Sequence, residues 1–118
     1  MFISALALSF ALSTAAQEPQ SHRQAVTCTG VFLYTLVLTA QVVESDPTSE
    51  NQETAQTAGQ LLKAADAERL AAAAREGLST DANGAALNAW LEANVDNPQA
   101  VIERELDGCI GAYVHAVM

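Results

Sequence analysis

Positive charge is what this sequence has least of. Five Lys and Arg stand against fourteen Asp and Glu in 118 residues, a formal net charge of -9. Nucleic acid and anionic lipid both demand a positive surface, so neither is an expected partner. Only two cysteines occur, Cys28 and Cys109, and they form no CxxC pair. Thioredoxin-like exchange and haem attachment are thereby excluded. No serine stands in a GxSxG elbow, so covalent catalysis lacks a nucleophile with a partnered base. There is no glycine-rich phosphate loop either. GCIGA at 108–112 lies within a helical stripe rather than between a strand and a helix, and its glycines are expected to permit close helix packing near the cysteine. Long apolar runs are also missing from the body of the chain. The most apolar stretch, VFLYTLVLTAQVV at 31–43, has thirteen residues. A bilayer span needs roughly 20, so this stretch reads as a core helix.

What is present begins with MFISALALSFALSTAA, uncharged and almost wholly apolar. It ends in small residues, Ser13 and Ala15 or Thr14 and Ala16, at the spacings an export peptidase reads. Residues 1–16 are expected to be a cleaved signal peptide, although no Lys or Arg precedes the apolar run, and 17–118 the mature domain. Ala25, Val26 and Thr27 before Cys28 do not make a lipid-anchor signal. No stable membrane insertion is expected after cleavage, and the location is periplasmic or secreted. In an oxidising compartment two well-separated cysteines imply a structural disulfide, Cys28 to Cys109. Closing a loop of that length is worth roughly 4 kcal/mol in chain entropy, which matters for so small a core.

Four helices are expected. Ser21 and Gln24 have capping-box spacing and open a helix over 22–43, with Cys28, Phe32, Leu36 and Val43 on one face. Its β-branched and aromatic content also permits a strand. Asp46-Pro47 reads as a cap followed by a first-turn proline, starting a second helix that runs to Gly77. Ala55, Ala58, Leu62, Ala65 and Ala73 share its apolar face, and Gly59 is tolerated inside it or marks a close crossing. Ser79, Thr80 and Asp81 are alternative caps for a third helix to Ala93, burying Leu87, Trp90 and Leu91. Asn97-Pro98 repeats the cap-and-proline signal for a last helix over 98–117, striped by Ile102, Leu106, Cys109, Ile110, Tyr113 and Val117. The fold class is all-α, a small antiparallel four-helix bundle with one disulfide. Cys28 lies about 9 Å into the first helix and Cys109 about 12 Å from the end of the last, so antiparallel neighbours bring the sulfurs to similar heights.

Candidate chemistry is sparse. His22 and His115 each lie six residues from a cysteine and could approach each other to bind zinc or copper; the simpler expectation is two solvent-exposed histidines and no metal site. Glu103 and Asp107, or Asp66 and Glu68, are acidic neighbours, but glycoside chemistry needs carboxyls facing across a cleft. Phe32, Tyr34, Trp90 and Tyr113 fill the core or line a groove. No catalytic residue, cofactor or metal is assigned, and the chain is not expected to be an enzyme.

With its export signal, size, single disulfide and early Thr27-Cys28, the chain resembles in outline the small acid-stress chaperones of the periplasm. That resemblance implies opening at low pH to hold unfolded clients. Neutralised carboxylates would leave five Lys and Arg, two His and the amino terminus, about +8 in all, and repulsion would loosen the bundle. The cysteine loop is longer than that family's. The broader expectation is a small exported binding or interaction protein whose partner is basic or exposes apolar surface. A metal-binding protein or an enzyme is the remaining alternative.

Overall fold

The computed structural model describes residues 19–117, and the expected signal peptide, 1–16, lies outside them. Four helices follow in order: α1 (His22–Ser45), α2 (Ser49–Arg75), α3 (Thr80–Asn94) and α4 (Pro98–Tyr113). A short 3-10 turn, Val114–Ala116, follows α4. They form a compact all-α four-helix bundle, with no strand among the described residues.

The helix ends follow local hydrogen-bond chemistry. Ser21 caps α1 as expected, accepting from the Gln24 amide while the Gln24 side chain accepts from the Ser21 amide. Gly77 has φ +74° and ends α2 in a double turn: Leu78 N–H donates to Ala73 C=O at 2.9 Å and Gly77 N–H to Ala74 C=O at 3.2 Å. Of the three alternatives for α3, Ser79 is the cap. Asn97 caps α4 with Pro98 in its first turn.

The start of α2 differs from expectation. Asp46 ends α1, its amide donating to Val42 C=O, and Thr48 caps α2 instead. The Asp46 carbonyl is already taken by the Thr48 amide and the Asn51 side chain, so the turn tightens and Pro47 falls before the cap. α4 is also shorter than the expected 98–117. It ends at Tyr113, whose φ of -123° and ψ of 0° turn the chain into the 3-10 segment while the ring stays buried.

α1 is the central helix and touches all three others. It pairs antiparallel with α2 through the short Asp46–Thr48 link, so its amino end lies near Glu76 and its middle against Leu61 and Ala65. Buried Ala58, Ala65, Ala72 and Ala73 on α2 present small side chains that let the α1 backbone approach. The core joins Cys28, Phe32, Leu61, Ala65, Cys109 and Tyr113. Phe32 and Tyr113 meet edge to face, with centroids 6.0 Å apart at 79°. The Cys28–Cys109 disulfide binds α1 to α4 at that core, with Cα atoms 5.4 Å apart.

α1 is longer than its most apolar stretch and has the length and composition of a membrane span. In the bundle its first half is enclosed: eight residues between His22 and Phe32 are buried. This packing argues against stable membrane insertion. Beyond Phe32 no α1 residue is buried, so Leu36 and Val43 are half-buried rather than central, and Val37 and Val42 are exposed. On α3, Leu87, Trp90 and Leu91 are likewise only half-buried, because that helix lies mainly against α1 and only lightly against α2.

The close packing expected at Gly108 and Gly111 is corrected, while Gly59 is simply tolerated inside α2. A Cβ at Gly59, Gly108 or Gly111 would meet nothing within 4 Å. The close approach is at Gly30, where a Cβ would overlap the indole of Trp90. Gly30→Ala should displace Trp90 and cost about 1–3 kcal/mol, as overpacking does. Urea unfolding measures that cost, and the emission of this sole tryptophan reports the displacement.

Candidate functional site

Several open grooves lie beside α4, and two of them differ in chemistry. The first, of about 380 Å³, lies between α1, α2 and α4. Phe32, Ala58, Leu61, Leu106 and Ile110 supply its apolar surface. Thr35 and Thr54 also line it, but their hydroxyls donate to Val31 C=O and Glu50 C=O of their own helices. Thr57, Glu50 and Glu53 complete the lining; both carboxylates are exposed, and neither takes part in an ion pair among the described residues. The groove exists because α4 meets α2 only lightly, leaving Leu106 and Ile110 half-buried above the buried Phe32, Ala58 and Leu61.

The second groove, of about 510 Å³, lies between α1, α3 and α4. Val26, Ala86, Ala89 and Val101 give it apolar walls, Trp90 an aromatic one, and Arg23, Arg104, Glu105 and His22 its polar groups. Trp90 is held by Gly30 and by Tyr34, whose ring centroid is 5.8 Å away. Tyr34 is fixed in turn by donating its hydroxyl to Leu91 C=O.

The two histidines have different fates. His115 is exposed on the 3-10 turn, as expected. His22 is buried, which corrects the expectation of an exposed ring. Its Nε2 lies 2.6 Å from Asn83 Oδ1, and Arg69 Nη1 donates to the same oxygen at 2.9 Å. Guanidinium groups only donate, so Asn83 must present its oxygen there and His22 Nε2 must carry a proton. Arg69 is held further by Asp66, with Nη2 to Oδ1 at 2.7 Å. His22 is thus a strut between α1, α2 and α3. Among the described residues no group of three or more His, Cys, Asp or Glu is arranged to hold a metal ion.

The acidic neighbours separate as well. Asp66 pairs with Arg69, and Glu68 with Arg75 at 2.9 Å. Glu103 and Asp107 are exposed on α4, as expected, while Arg104 pairs with Glu105 rather than with either. None of these pairs faces its partner across a cleft.

Gln20 ties the ends of the bundle together. Its amide donates to Glu68 at 2.9 Å, its carbonyl accepts from Arg75 at 3.0 Å, and its side-chain oxygen accepts from the Tyr113 hydroxyl. Burial and the nearby Glu68 carboxylate push the Tyr113 phenol up to about 12. Sequence reasoning missed Gln20, Asn83 and Gly30, because each acts through a residue far along the chain.

No protein-family model matches the chain, and neither a curated protein nor a solved structure matches it.

Asn83→Leu should cost about 2–3 kcal/mol in urea unfolding, because it strips the acceptor from a buried His22 and from Arg69. The phenol gives a separate test. Its neutral form is favoured by the fold, so this contribution is whole below pH 10.0 and is lost as pH rises through about 12. Ultraviolet titration should show one tyrosine ionising late, and Tyr113→Phe should abolish both that step and its share of the alkaline loss of stability.

Proposed function

We propose that this chain is a small exported binding module, not an enzyme, whose groove between α1, α2 and α4 receives an apolar segment carrying a basic group. The observation that carries the reading is that groove: a recess whose half-buried Leu106 and Ile110 lie over a buried apolar floor, with Glu50 and Glu53 beside it. Burying an apolar side chain on such a floor supplies affinity of roughly 1.5–3 kcal/mol. The uncompensated carboxylates then select a cation over a neutral or acidic competitor. The net charge of -9 acts in the same direction at long range, steering a basic partner inward. The uncharged apolar amino-terminal stretch and the disulfide both suit an oxidising, exported compartment.

A fluorescently labelled peptide alternating Leu pairs with Lys tests the reading by anisotropy. It should bind saturably at micromolar concentrations, and the same peptide with Glu in place of Lys, or Ser in place of Leu, should not. Replacing both rim carboxylates (Glu50→Gln with Glu53→Gln) should weaken binding roughly three- to tenfold without unfolding an exposed surface. Equal binding of the Glu-containing peptide, or none by either, would overturn the assignment.

A further inference from the structure

The groove on the other side of α4 has the opposite chemistry. Arg23 and Arg104 both line it, two of only five Lys and Arg in the chain. Arg23 makes no ion pair or side-chain hydrogen bond among the described residues. Arg104 engages Glu105 only through Nε, at 3.1 Å, which orients the side chain and leaves both terminal nitrogens as donors. Two guanidiniums against one carboxylate make this cleft locally positive in a protein that is otherwise strongly acidic. Planar guanidinium forks match a carboxylate in geometry, and their weak hydration makes them easier to engage than an ammonium.

The rest of the lining points to what such a carboxylate would be attached to. Trp90 packs on α1 against Gly30 and Tyr34 and is only half-buried, so it offers a preorganised aromatic surface. Val26, Ala86, Ala89 and Val101 add apolar walls that a bare inorganic anion would not use. A volume of about 510 Å³ lies within the range of small-molecule sites. We infer that the α1/α3/α4 cleft is a binding site for a small aromatic carboxylate, its ring against Trp90 and its carboxylate between Arg23 and Arg104. Glu105 excludes a second negative charge on the ligand by lying beside Arg104. The site is separate from the apolar groove and does not depend on the peptide reading above.

The chain contains one tryptophan, so the cleft carries its own reporter. Titrating the disulfide-intact protein with phenylacetate should change Trp90 emission saturably, and added salt should weaken the response. Phenylethanol and phenethylamine, which keep the ring without the negative charge, should bind at least about tenfold more weakly. Inorganic phosphate should not compete. Arg23→Gln and Arg104→Gln alter exposed side chains, and each should weaken phenylacetate binding roughly three- to tenfold while circular dichroism stays unchanged. A saturable response to phenylethanol as strong as to phenylacetate, or undiminished phenylacetate binding when both arginines are replaced, would overturn the inference. So would the absence of any phenylacetate response in a protein whose helical spectrum is intact.

Discussion

The cross-link between Cys28 and Cys109 is the constraint on which the arrangement of this molecule depends. α1 and α2 form a long antiparallel pair with extensive contact, and α3 is keyed to α1 through Trp90 and Asn83. α4 has less to hold it: it meets α2 only lightly and leans chiefly on α1. The disulfide fixes it there, beside the edge-to-face contact of Phe32 and Tyr113. Because the tie lies at the core, it removes freedom from the unfolded chain and also sets where α4 stands. The apolar groove and the cationic cleft are consequences of that placement, and α4 contributes to both.

The division of charge between the two sides follows from a few residues. Carboxylates outnumber cations so heavily that an acidic groove needs no special explanation, and Glu50 and Glu53 line one. A cationic cleft in such a chain does need one. Of the remaining cations, Arg69 and Arg75 are occupied in structural ion pairs with Asp66 and Glu68, where they brace Asn83 and Gln20. Arg23 and Arg104 are the guanidiniums left lining a shared groove, with the half-buried Trp90 ring beside them.

Much of the fold was legible because it rests on short-range chemistry. Ser21 with Gln24, Gly77, and Asn97 with Pro98 act within one turn of themselves, and each does what its spacing implies. Asp46-Pro47 shows the limit of such reading. The same dipeptide can cap the next helix or close the last one, and the Asn51 side chain reaching back to the Asp46 carbonyl decides between them. Core membership was legible where the stripe is crossed by several helices, as at Cys28, Phe32, Cys109 and Tyr113. It failed at Leu36, Val43 and Leu87, where periodicity marks an apolar face but cannot say how far a neighbour extends to cover it. The grooves were less legible still. Glu50 and Ile110, or Arg23 and Trp90, are separated by sixty residues or more, and no local pattern records that they line the same space.

By itself, then, the order of residues determined the helical class, the helix number, most of the caps and the pairing of the two cysteines. These follow from hydrogen-bond satisfaction within a turn and from there being only two thiols to pair. Tertiary structure alone decided that His22 is a buried strut, that Gly30 rather than Gly108 or Gly111 is the point of closest approach, and which charges converge on a cavity. Those outcomes depend on the relative placement of whole helices. That placement is set by side-chain volume and contact across distant segments, which one-dimensional spacing does not encode.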